Sequence, residues 1–133
     1  MDARQRRGRH AHARGVDTEA AAGAALARDG WTVHARRLRT ASGEIDLVAE
    51  KDGLLAIVEV KSRPALADAA ALTARQRARL IAAAEIVLAE HPDWGTNGVR
   101  FDVIVVDATG AVRRIADAFG GDPGACPPTR LSL

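Results

Sequence analysis

The sequence predicts a single α/β domain, a mixed β-sheet flanked by helices, and three observations carry that expectation. Apolar residues recur at helical spacing in two segments, Thr18 to Arg28 and Thr73 to Glu90. Segments that alternate apolar and polar residues, or are rich in β-branched ones, run from Trp31 to Arg39, Gly43 to Arg63 and Val99 to Val106. The order is therefore helix, three strands, helix and strand, with an edge strand at Ala111 to Ile115. The long helix between Lys61 and Val99 is a crossover, which lets its flanking strands lie parallel in one sheet.

Composition narrows the class. A chain of 133 residues can bury one core unaided. No run approaches the roughly 18 apolar residues of a membrane span, and the basic N-terminus lacks the apolar centre of a signal peptide. Cys126 stands alone among prolines, which excludes a disulfide framework and a cysteine-based zinc site. These features fit a reducing cytoplasm and no membrane partner. The net charge is +2, yet residues 1–14 carry five arginines against Asp2, a net of +4, leaving −2 for the rest. Residues 1–14 are thus expected to be a disordered basic tail, able to track a phosphate backbone or simply solvated. Residues 15–119 form the domain, and 120–133, with three prolines, an irregular tail.

Asp17 is the expected N-cap of the first helix, and Gly30 closes it. Glu19 shares the thin apolar stripe of this helix with Ala22, Gly23 and Leu26. It either complements the helix dipole or is directed inward by something that needs a carboxylate. The first strand ends in Arg36, Arg37 and Arg39, which are solvated cations or contacts for DNA phosphates.

The segment Gly43 to Arg63 reads as a hairpin. In it Glu44, Asp46 and Val48 alternate with Ile45, Leu47 and Ala49, while Leu55, Ile57, Glu59 and Lys61 alternate with Leu54, Ala56, Val58 and Val60. Each strand is expected to have one apolar face and one that carries the carboxylates. Asp52-Gly53 suits a two-residue type I′ turn. That register puts Lys51 opposite Leu54, Asp46 opposite Glu59 and Glu44 opposite Lys61, whereas a three-residue loop would put Asp46 opposite Val58. Opposed carboxylates about 5 Å apart repel unless a cation lies between them. An aspartate followed by Glu-x-Lys is also the set used in metal-assisted phosphodiester hydrolysis. The carboxylates are hard oxygen ligands for Mg²⁺, and the lysine orients water or neutralises phosphate charge. The alternative is a charged sheet edge.

Pro64 breaks the strand, and Thr73 is a plausible N-cap for the second long helix. Its stripe is read as Leu80, Ile81, Ala84, Val87 and Leu88, with Arg75 and Arg79 on the opposite side. Arg77 falls on the apolar side, where it reaches towards the hairpin or snorkels at the helix end. His91-Pro92 ends the helix, and Asp93 to Gly98 is a loop. In the strand that follows, Asp102 is either a support for the site or a partner for an arginine.

Four stretches together, Gly43-Glu44-Ile45-Asp46-Leu47, Val58-Glu59-Val60-Lys61-Ser62-Arg63, Arg75 to Leu80 and Arg100-Phe101-Asp102-Val103, resemble the bacterial YraN family. Order and spacing agree from about Gly15 to Val106. The resemblance implies a restriction-endonuclease-like fold, similar to archaeal Holliday-junction resolvases and RecB-type nuclease domains. Residue by residue it implies that Asp46 and Glu59 are metal ligands, Glu19 a direct or water-mediated ligand, and Lys61 the group beside the attacking water. The implied cofactor is Mg²⁺ or Mn²⁺, and the implied partner is DNA, branched or flapped, bound by a homodimer with paired sites. Arg36, Arg37, Arg39, Arg63, Arg75 and Arg77 are then the candidate DNA contacts. Arg75 stands where a lysine is usual, and the first helix is poorer in large apolar residues.

A metal-dependent DNA endonuclease is accordingly the expected activity. The rival is a non-catalytic nucleic-acid-binding or assembly module that retains the fold, since a fold can outlive its chemistry. An RNA-processing role is disfavoured because Trp31, Trp94, Phe101 and Phe119 are the only aromatics, too few for a stacking platform.

Overall fold

Asp17 opens the first helix, α1 (Thr18–Arg28), by accepting the Ala20 N–H at 3.0 Å in the computed structural model, which describes residues 17–68 and 70–118. The expected tails at 1–14 and 120–133, with Cys126, lie outside the described residues. Gly30, at φ +88°, turns the chain out of α1 into β1 (Thr32–Thr40). β2 (Gly43–Lys51) and β3 (Leu54–Ser62) follow as successive antiparallel neighbours. Asp52 and Gly53, at φ 53° and 79°, make the tight turn between them, and Lys51 pairs with Leu54 as the two-residue loop requires.

The second helix, α2 (Ala74–Glu90), begins in a reciprocal capping box. Thr73 accepts the Gln76 N–H at 3.0 Å, and the Gln76 side chain accepts the Thr73 N–H at 2.9 Å. As a crossover it makes β4 (Val99–Val106) parallel to β3, with Leu55 opposite Val99 and Ser62 opposite Val106. β5 (Val112–Ile115) closes the edge antiparallel to β4. The result is one mixed five-stranded sheet in the order β1-β2-β3-β4-β5, open and flanked by helices. No helix among the described residues is long and apolar enough to cross a membrane.

Both faces of the central strands are buried. Leu80, Ala83, Ala84 and Val87 of α2 cover Ile45, Val48, Leu55, Ile57, Val99 and Phe101. Ala22 and Leu26 of α1, with Trp31, cover Leu47, Ala49, Ala56, Val58, Ile104 and Val106 on the other face. The α2 face of the sheet is therefore apolar along its middle, with Glu59 towards one end and Glu50, opposite Leu55, at the other. Sequence alternation marks which residues share a face but not where a covering helix stops.

Asp102 lies on the α1 side and is an arginine partner. Its buried carboxylate accepts from Arg100 Nε at 3.0 Å, Arg114 Nε at 3.1 Å and the Asp117 N–H at 2.8 Å. The guanidinium carbons of Arg100 and Arg114 stand 5.0 and 4.8 Å from the ring centre of Trp31. At the turn end of the sheet, Trp94 stacks between His34 and His91 at centroid distances of 4.3 and 3.7 Å. Glu50 fixes this stack, bonding His34 Nε2 at 2.7 Å and accepting the Gly95 N–H at 3.1 Å.

Two outcomes test this packing. Leu80→Ala removes a fully buried side chain under the sheet and should cost about 2–5 kcal/mol in urea unfolding. Burial raises the Asp102 carboxyl above its ordinary 3.8, against the downward pull of the Asp117 N–H and Arg100. A raised acid favours the folded state fully below 3.8, and that contribution is lost as pH rises through the folded value. Asp102→Asn should flatten the corresponding segment of the stability-versus-pH curve.

Candidate active site

The site forms where two strands part. The β2–β3 ladder ends at Leu47 opposite Val58, whereas β2 stays paired with β1 to its first residue, Gly43. Beyond Leu47, Asp46 turns its side chain onto β3, and its Oδ2 accepts the Val60 N–H at 2.8 Å. A carboxylate thus takes a backbone donor at the point where the ladder stops. Ile45 reports the same distortion, because it packs under α2 while Leu47, two residues on, packs under α1. On β1, Arg37 adopts φ 52°, between residues paired with Leu47 and Ile45. Past Leu47 the expected opposition of Asp46 to Glu59 and of Glu44 to Lys61 is replaced by this splay. Asp46 instead reaches the backbone of β3 at Val60, the residue after Glu59.

Glu59 follows Ile57 on the α2 face, and its side chain is only 11 % exposed. A charge so buried needs partners. Lys61 Nζ lies 3.9 Å and Arg79 Nη2 3.4 Å from the same oxygen, Oε2. Arg79 also donates from Nη1 to the Glu44 carbonyl at 3.0 Å, while Arg39 Nε stands 3.6 Å from the Glu44 carboxylate.

Glu19 reaches the same neighbourhood through Arg37, with which it forms a hydrogen-bonded ion pair. That bond, and then the charge of Glu19, raise the Arg37 guanidinium above its ordinary value, with smaller contributions from Asp17 and Asp46. Arg37 is thus the direct partner of the helix carboxylate Glu19 and feels the charge of Asp46 more weakly. Its partner Arg36 lies 3.8 Å from Asp17. Arg63 donates from Nη1 to the Ser62 carbonyl at 2.8 Å, Arg77 is half-buried, and Arg75 is exposed.

Arg79 was expected on the far side of its helix and instead reaches the hairpin. The buried stripe is Leu80, Ala83, Ala84 and Val87, rotated from the expected one by Ala83, so that Arg79, four residues before Ala83, borders it. Three consecutive alanines, Ala82 to Ala84, left the centre of the stripe undefined. Gly43 opens the way for this arginine. It holds φ +132°, and a Cβ there would lie 2.9 Å from both Cγ and Cδ of Arg79.

Asp46 and Glu59 are the hard oxygen donors that could hold a divalent cation. Mg²⁺ commonly takes one or two carboxylates and completes its shell with water and substrate phosphate. The pair fits that requirement, while Glu19 is engaged by Arg37. Among the described residues no three His, Cys, Asp or Glu side chains are grouped to hold a metal, and no buried side-chain nitrogen or oxygen lacks a hydrogen-bond partner. Positive side chains stand at Glu59 and Glu19, and a backbone N–H at Asp46.

Comparison with known proteins agrees with the chain's motifs. A UPF0102 protein of Granulibacter bethesdensis is 62% identical over 122 residues, covering 91% of this chain and 77% of the relative. UPF0102 proteins of Acidiphilium cryptum and Azorhizobium caulinodans are 49% and 47% identical, each over 86% of this chain and 89% and 88% of their own lengths. The model of the family described as "Uncharacterised protein family UPF0102" matches residues 18–106, from the start of α1 to the end of β4. The chain belongs to UPF0102, the YraN family that its hairpin and helix motifs resemble.

Proposed function

We propose that this protein is a metal-dependent DNA endonuclease that hydrolyses phosphodiester bonds. The observation that carries the reading is the meeting of Asp46 with β3 at Val60, between Glu59 and Lys61. Asp46 and Glu59 are the proposed ligands of Mg²⁺ or Mn²⁺, and Glu19 contributes directly or through water. When bound, such an ion polarises the phosphate and lowers the pKa of a coordinated water. Lys61, 13 % exposed at the edge of the site, orients the water and offsets charge on the phosphate oxygens. The water oxygen forms a bond to phosphorus, one P–O ester bond breaks, and the proton passes to the leaving oxygen by way of solvent.

Exposed arginines lead towards this end of the sheet. Arg39 is 85 % exposed, and Arg75 precedes Arg79 by one turn of α2. They are proposed to hold DNA phosphates together with Arg36, Arg37, Arg63 and Arg77. The resolvase resemblance makes branched or flapped DNA the proposed substrate class and a homodimer the proposed assembly, within a reducing cytoplasm.

A second reading has its own support. Glu59 already has two cations, so the cluster can stand as a structural ion-pair network in a non-catalytic DNA-binding module.

Cleavage of labelled linear, flapped and four-way DNA in Mg²⁺ or Mn²⁺ separates the two. Glu59→Ala and Lys61→Ala should each reduce cutting by roughly 100-fold or more, the loss typical of a transition-state charge partner. Cutting that survives both substitutions would remove the hairpin from the mechanism, and binding without any cutting would favour the second reading. Arg39→Ala and Arg75→Ala should weaken binding evenly across sequences. Each should lower the slope of log K against log salt by about 1 in an anisotropy titration.

A further inference from the structure

We infer that Arg79 is a displaceable counter-ion, a guanidinium that occupies Glu59 until a divalent cation takes its place and then turns to a DNA phosphate. The inference rests on the proposed metal site and adds its regulation.

The geometry at Arg79 is uneven. Its bond from Nη1 to the Glu44 carbonyl, at 3.0 Å, has ordinary length, whereas Nη2 stands 3.4 Å from Glu59 Oε2. A charge-assisted bond between a guanidinium and a carboxylate closes to about 2.7–2.9 Å when nothing holds it back. Arg79 is therefore anchored on the backbone of β2 and leans on Glu59. Lys61 approaches the same Oε2 at 3.9 Å, again without closing. Two loosely held cations share one buried oxygen.

The stem of Arg79 passes close over Gly43. Cγ and Cδ lie against the missing side chain of Gly43, within 2.9 Å of the position a Cβ would take. The side chain as a whole is one-third exposed. A rotation about the outer torsions would carry the head off Glu59 without moving α2.

The charges set the direction of the exchange. A divalent cation on Glu59 repels a guanidinium a few ångströms away and supplies the counter-charge the carboxylate needs. The released guanidinium presents a planar donor fork that matches two phosphate oxygens. Arg79 thus competes with the metal in the free protein and cooperates with it once DNA is bound. Linkage requires that the metal raise DNA affinity and that DNA raise metal affinity by the same factor.

The full chain tests this with Mn²⁺ alone and with a labelled DNA duplex in Ca²⁺. Arg79→Met keeps the stem over Gly43 and removes the competing charge. It should tighten Mn²⁺ by about 5- to 10-fold in calorimetry and weaken Ca²⁺-dependent DNA binding by a similar factor, within the ordinary range of site coupling. A merely structural arginine would lower both affinities. Arg79→Lys keeps the competing charge without the fork, so Mn²⁺ affinity should stay near the wild type while DNA affinity falls. Mn²⁺ binding that is lost in Glu59→Gln but unchanged or weakened in Arg79→Met would overturn the inference and leave the metal site standing. Absence of Glu59-dependent Mn²⁺ binding in the wild type and in both Arg79 variants would overturn the metal site, and the inference with it.

Discussion

A carboxylate buried between a sheet and a helix must be met by positive charge, and Glu59 sets that demand for this fold. Its neighbours follow from it. Lys61 comes from the same strand face, Arg79 from the overlying helix, and Gly43 stays small so that the arginine can pass. Replacing Glu59 alone would leave two cations facing each other over an apolar core. Positive charge at this end of the sheet exists because negative charge does, and the reverse holds equally.

The splay at Asp46 depends on the same end of the sheet. Two antiparallel strands that remained paired would fill the place of the carboxylate with a ladder bond, and Asp46 would project from a regular strand. Ending the ladder at Leu47 frees the Val60 N–H, and the aspartate satisfies it without burying an unmatched donor. The left-handed Arg37 on the neighbouring strand, between the residues paired with Leu47 and Ile45, holds Glu19. β1 and β2 are irregular at two levels, a register shift between Val33 and Ala35 and the splay beyond Leu47, while β3 and β4 pair in uninterrupted register.

Much of this was legible in the residues. Both helices, their caps at Asp17 and Thr73, and the Asp52-Gly53 turn follow from local chemistry, which tertiary packing did not override. Register was legible because a turn type fixes it near the turn. It ceased to be legible at Asp46, where a side chain replaced a backbone bond, an exchange that alternation cannot express. Arg79 was misplaced because alanines occupy either side of a helix at little cost. His91 and Trp94 are near neighbours in the chain, but His34 joins their stack from a distant strand, and no local pattern announces that contact.

The sheet places its strands in chain order, so all four pairings join consecutive strands, and three of them are antiparallel through short connections. Only the parallel contact of β3 with β4 spans a long excursion, the one that contains α2. Loop closure before reward is thus concentrated in a single step. The three-stranded meander and both helices rest on local contacts, whereas the β3–β4 pairing is the non-local contact that defines the topology. Because α2 lies within that excursion, the reach of Arg79 to Glu59 belongs to the same long connection that brings β4 to β3.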